Sequence, residues 1–173
     1  MTSNARAGTR ILSSMRAEDG VGIVRVEERY DTDVDDLWTA LTDPGRLARW
    51  IAEVEGDLRP GGEFRARFTS GWEGTGRVDA CEPPRRLLVV TQETGEPGEQ
   101  VVEATLTADG DQTVLVIEER GLPVDNLAAY GAGWQVHAED LAAHLAGRSR
   151  CDMQERWEEL IPAYRDRAGG GDT

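Results

Sequence analysis

The stretch LTDPGRLARWIAEVEG, Leu41–Gly56, holds the turning point of the chain. Asp43 stands where a helix N-cap is needed, its carboxylate able to accept from the free amides of the next turn. Pro44 follows at the first helical position, where a missing N–H costs nothing. Leu47, Trp50 and Ile51 then fall at helical spacing. Upstream, Asp33 caps an earlier helix through Leu41, and Asp35 and Asp36 favour the positive end of its dipole. Two short helices therefore meet at a corner. Arg46 and Arg49 are expected on the solvent side of the second, a solvated face rather than a recognition surface.

From Gly56 onward the period changes to two. In GGEFRARFTSGW, residues 61–72, Phe64, Ala66 and Phe68 share one side against Arg65 and Arg67. WEGTGRVDACEPPRRLLVVTQE continues with a strand, a turn at Glu82-Pro83-Pro84 and another strand. GEQVVEATLTADGDQTVLVIEERGL is a hairpin with Asp109-Gly110-Asp111 at its tip. Gly71, Gly74 and Gly76 precede no helix and sit in no βαβ unit, so they read as bulges or a bend in a curved sheet, not as a phosphate loop. Before the corner, RILSSMRAEDGVGIVRVEERYD is a further hairpin around Glu18-Asp19-Gly20, with Val24, Val26 and Tyr30 on one face of its second strand.

After the strands the period returns to helical. Trp134, Ala138, Leu141 and Leu145 form one stripe, and Gly147 is its natural stop. CDMQERWEELIPAYRDR, residues 151–167, opens with Asp152 and Glu155 in capping-box spacing and carries Met153, Trp157, Leu160 and Tyr164 on one side. Pro162 is expected to break or kink it. The layout is α+β, with one long helix covering one face of a curved antiparallel sheet.

Bulk properties exclude several chemistries. The 173 residues fit one domain; 33 acidic against 19 basic side chains leave a formal charge of −14, a field that repels nucleic acid and anionic membranes. All 19 bases are arginine, so lysine Schiff bases and a P-loop lysine are excluded. Cys81 and Cys151 form no CxxC pair and no secretory leader is visible at Met1, which suggests reduced thiols and a cytoplasmic protein. The longest apolar runs are four residues, such as Leu87–Val90, far short of a membrane span. His137 and His144 lie seven apart on one helix, and there is no HExxH, Cys/His cluster or GxSxG elbow. No metal and no cofactor are expected.

VDDLWTALTDPGRLARWIAEVEGDLRPGGEF, GWEGTGRVDACEPPRRLLV and GWQVHAEDLAAHLAG occur in the order and spacing of the START-like SRPBCC superfamily. They resemble its branch named after the activator of the ninety-kilodalton heat-shock protein ATPase. The likeness runs from about Val24 to Gly147. It implies a helix-grip fold, in which the curved sheet wraps the long C-terminal helix around an apolar cavity. Residues 1–9 would then be a disordered tail, 10–150 a single helix-grip domain with its N-terminal hairpin, and 151–173 a helical extension and tail. The hairpin and the extension depart from the plainest members and bear on how open the cavity mouth is.

The resemblance implies three functions: binding of a small, mostly apolar or amphipathic ligand; a polyketide cyclase or dehydratase-like enzyme using the same cavity; and a chaperone partner acting through its surface. A homodimer is open. The cavity is expected between helix and sheet, bordered by Phe68, Trp72, Leu115, Ile117, Glu119, Trp134, His137 and Leu141, with Ala66 and Ala104 leaving volume unfilled. Acid–base candidates are His137, Glu119, Tyr30 and Arg67, though no catalytic role is assigned. Alternation carries Glu119 to the side of Leu115 and Ile117. It is either a proton-handling carboxyl in an apolar cup, or a carboxylate that sits at the rim in water or pairs with an arginine. His137 is either a boundary histidine or a proton carrier, and Trp72 and Trp134 either line the cavity or pack the core.

Overall fold

The computed structural model describes residues 10–169; the expectation for residues 1–9 lies outside them. Eight strands run β1 Ser13–Glu18, β2 Val21–Tyr30, β3 Ala52–Gly56, β4 Glu63–Phe68, β5 Glu73–Glu82, β6 Arg86–Glu93, β7 Gln100–Asp109 and β8 Gln112–Leu122. The helices are α1 Val34–Thr42, α2 Pro44–Trp50, α3 Leu127–Leu145 and α4 Met153–Gly169. All strands pair antiparallel in the order β1-β2-β8-β7-β6-β5-β4-β3, and α3 crosses one face of the sheet. This is the helix-grip α+β architecture. Among the described residues no helix is long and apolar enough to cross a membrane.

The corner forms as its residues dictate. The Asp33 carboxylate accepts from the Asp36 amide at 2.8 Å, and that of Asp43 from the Arg46 amide at 3.2 Å. Trp50 is 1 % exposed, and its indole N–H donates to the Ala40 carbonyl at 2.9 Å, locking α2 onto α1. Two expectations change here. The switch to a strand comes earlier than Gly56, because Ala52 already pairs with Phe68 to begin β3. Arg46 is not solvated: its guanidinium donates to the Asp36 carbonyl and carboxylate, to Thr39 Oγ1 and to His144 Nε2, pinning the corner to the end of α3. Only Arg49 is exposed.

The β1–β2 turn places both Asp19 and Gly20 at positive φ, 51° and 80°, the pair of values a two-residue hairpin loop demands. Gly74 and Gly76 serve a purpose other than bulging. A Cβ on Gly76 would overlap the Phe64 ring, and one on Gly74 would meet the Trp72 ring and the Gln92 carbonyl, so both glycines make room for aromatic rings laid on the sheet. The bulge in β5 falls later, between Val78 and Ala80.

Helix α3 is buried on two sides. Trp134, Ala138 and Leu141 face the sheet, while Ala132 and Val136 pack with Leu160, Ile161 and Tyr164 of α4. With both flanks covered, its polar residues are forced inside and must find partners. Gln135 accepts from the Leu12 amide and the Tyr164 hydroxyl and donates to the Arg10 carbonyl. Arg156 of α4 holds Glu139 of α3 at 2.7 Å. Of the break or kink expected at Pro162, the break does not occur: helix α4 runs on through it. The carbonyl deprived of a partner belongs to Glu158, an exposed residue that water can satisfy, and Leu160, Ile161 and Tyr164 anchor the turns on either side.

Candidate functional site

Where the sheet opens beneath the first half of α3, a hollow of about 620 Å³ remains. The β4–β5 hairpin supplies Phe68 and Trp72, whose rings stack with centroids 5.1 Å apart. Strands β6 to β8 supply Thr91, Glu93, Val102 and Glu119; α3 supplies Tyr130, Gly133, Trp134 and His137; and α4 closes the side with Met153 and Trp157. The residue types alone make the lining aromatic, with carboxyls set among the rings. Of the eight residues expected to border a cavity, Phe68, Trp72, Glu119, Trp134 and His137 meet here. Leu115, Ile117 and Leu141 do not line it; they sit in the closed core, as does Ala104, while Ala66 is buried at the sheet surface away from the hollow. The empty volume is therefore displaced toward the open end, because Leu106, Leu115 and Ile117 fill the middle of the grip.

Glu119 is the most unusual group in the hollow. Period-two alternation in β8 turns it inward, and it is 9 % exposed. Its register neighbours, Val24 on β2 and Val102 on β7, are apolar. Oε1 accepts from the Trp134 indole N–H at 2.9 Å, and among the described residues no arginine pairs with the carboxyl. Burial pushes its pKa up to about 7, aided by the nearby charge of Glu93 and opposed by the Trp134 hydrogen bond. Neither alternative to a buried carboxyl fits this geometry: the side chain is too covered to sit in water at the rim, and no arginine among the described residues reaches it.

His137 is 5 % exposed and meets the edges of Phe68 and Trp134 at 5.8 and 5.5 Å between ring centroids. Among the described residues its Nδ1 has no hydrogen-bond partner. Burial drives its pKa down to about 4, so the imidazole is neutral at ordinary pH. Tyr130 reaches the same hollow, and burial together with Glu119, Glu93 and Glu96 raises its pKa. The other acid–base candidates lie elsewhere. The Tyr30 hydroxyl donates to the Ala138 carbonyl inside the core, and Arg67 pairs with Glu73 on the outer face. His144 is engaged by Arg46 at the far end of α3.

Tyr130, Met153 and Trp157 were not foreseen as lining. Tyr130 lies one turn before Trp134, a spacing that could have revealed it. Met153 and Trp157 arrive only through the packing of α4 on α3. A second hollow, about 720 Å³, is lined by strand side chains of both charges, where Arg77 binds Glu99; it contains no buried titratable group. The chemistry is concentrated in the first.

A curved antiparallel sheet gripping a helix defines a START-like helix-grip protein of the SRPBCC type. The family model described as activator of Hsp90 ATPase homolog 1-like protein matches residues 31–146, more than half of the chain, and the chain belongs to that family. Among solved structures, CalU16 from Micromonospora echinospora is 32% identical with a TM-score of 0.75, the match covering 90% of this chain and 95% of that one. DynU16, from the dynemicin biosynthetic locus, is 33% identical with a TM-score of 0.69 over 75% of this chain and 50% of the DynU16 chain. A protein of Bordetella parapertussis shares the fold at 23% identity and a TM-score of 0.71, covering 89% of each chain. Comparison with curated proteins gives no match. The family segment ends before α4, so the wall made by Met153 and Trp157 lies outside it.

Proposed function

We propose that the protein binds a small, mostly apolar or amphipathic molecule in the hollow between the sheet, α3 and α4. The observation that carries this reading is a space of about 620 Å³ lined by Phe68, Trp72, Tyr130, Trp134 and Trp157 with polar side chains set among the rings, a size and composition suited to a small apolar or amphipathic molecule. The likeness to DynU16, a protein of a biosynthetic locus, supports a small molecule as the occupant. Affinity would come from apolar burial against Trp72, Trp134 and Trp157, and orientation from Glu119 and His137. The test is titration with the neutral dye Nile red, read by its emission and by quenching of tryptophan, together with native mass spectrometry of the purified protein for a retained molecule. Trp72→Ala and Trp157→Ala should each weaken dye binding severalfold. Unchanged binding in both variants would place the ligand elsewhere.

Glu119 also favours a second reading, a cyclase or dehydratase-like enzyme. A carboxyl held near neutrality in an apolar pocket can both donate and accept a proton at ordinary pH, and a neutral imidazole lies in the same lining. In that reading Glu119→Gln abolishes turnover of an aromatic polyketide-like substrate while leaving its binding intact. Ligand retention without turnover in the wild type favours the carrier.

A further inference from the structure

The charges around the hollow are all of one sign. Glu119 on β8, Glu93 on β6 and Glu158 on α4 border it, and among the described residues no arginine does, in a chain that contains no lysine. The remaining titratable groups facing Glu119 are Tyr130 and His137 of α3; on β2 and β7 its neighbours are valines. A buried carboxyl is ordinarily matched by a cation from the same protein. Here the matching charge is missing, and the space in front of the carboxyl is walled by the aromatic side chains of Phe68, Trp72, Tyr130, Trp134 and Trp157. Aromatic faces attract a cation through their quadrupole, and more strongly where water is excluded. They give nothing comparable to an anion. The formal charge of −14 draws cations and repels carboxylates and phosphates at longer range.

We infer that the ligand of this cup is a cationic amphiphile, an apolar or aromatic body bearing a protonated amine, whose ammonium sits against Glu119 within the aromatic walls. The inference rests on the binding reading above and narrows its ligand class. Anionic amphiphiles such as fatty carboxylates are disfavoured by the same groups. Trp134 holds the carboxyl in place through its indole N–H, leaving the other carboxylate oxygen for the ligand.

The experiment compares three probes of one shape, 4-phenylbutylamine, 4-phenylbutan-1-ol and 4-phenylbutanoate, by isothermal titration at pH 8 and low salt. The expected order is amine, alcohol, carboxylate, with the amine about tenfold or more tighter than the alcohol. The preference should shrink at pH 6, where Glu119 has taken up a proton through its pKa of about 7. Glu119→Gln keeps the shape and an acceptor for Trp134. It should bring the amine close to the alcohol, and the amine-to-alcohol ratio is the readout, because structural damage would weaken both probes alike and leave that ratio unchanged. An amine that binds no tighter than the alcohol in the wild type, or a preference that survives in Glu119→Gln, overturns the cationic ligand and leaves the cup standing. If Nile red binds but none of the three probes does, the cationic inference falls as well. If Nile red also fails, the binding reading falls with it.

Discussion

Replacing Glu119 by glutamine should make the protein more stable, and only above a definable pH. Burial raises the carboxyl pKa from an ordinary 4.5 to about 7, so between those values the folded state holds a proton that the unfolded state releases. Stability therefore falls as pH rises through this window, and the full loss is present above pH 7. The distance between the two values corresponds to about 3 kcal/mol. Glutamine is neutral throughout and keeps an oxygen for the Trp134 indole, so it escapes that loss. The variant should match wild type at pH 4 and exceed it by up to about 3 kcal/mol at pH 8, or about 6 to 12 °C in Tm for a chain of this size. Urea or thermal denaturation of both proteins at pH 4, 5, 6, 7 and 8 gives the difference, in which the titration of all other carboxylates cancels. A difference that stays flat, or a variant less stable at pH 8, would refute the claim that Glu119 is buried without a compensating cation. Stabilisation coupled to weaker amine binding would show that the wild type trades stability for its site.

His137 should behave in the opposite sense. Burial lowers its pKa from 6.5 to about 4, so the wild type should lose up to about 3 kcal/mol as pH falls through that window, and His137→Leu should not. Equal pH profiles in denaturation would show that the imidazole is hydrated in solution. At the corner, Trp50→Ala should cost about 3 to 5 kcal/mol and Arg46→Ala about 1 to 2, because the arginine holds α1, α2 and α3 together, while Arg49→Ala stays within about 0.5. Equal effects of the two arginine substitutions in urea melts would contradict the hydrogen bonds of Arg46. Gly74→Ala should displace the Trp72 ring from Phe68 and weaken Nile red binding, since its Cβ has no room beside Trp72 and the Gln92 carbonyl. Tyr164→Phe should cost about 1 to 3 kcal/mol by stranding the Ser13 amide in the interior and removing one of the two bonds to Gln135 Oε1, measurable as a lowered urea midpoint.

What the sequence by itself determined is local and periodic. Asp33 and Asp43 as caps, the paired turn at Asp19-Gly20, the inward set Leu115, Ile117 and Glu119, and the stripe Trp134, Ala138, Leu141 all follow from hydrogen-bond needs and side-chain period within a few residues. The segments around the corner and α3 carried the family resemblance. Tertiary structure decided where space remained. Period two says that Leu115, Ile117 and Glu119 point the same way, but not that the first two are packed solid and only the third meets a hollow. That depends on the volumes of Leu106, Leu141 and their neighbours summed across strands. Arg46 looked solvated because its helix has an outer face there, and only the folding of α2 back onto Asp36 and Thr39 of α1 and the approach of His144 from α3, 98 residues away, give it partners. Pro162 looked like a break because local sequence carries its missing N–H and not the grip of α3 on the turns around it. The absence of a cation beside Glu119 is likewise a fact of three dimensions: the chain is rich in arginine, and the fold brings none of the arginines among the described residues into the lining.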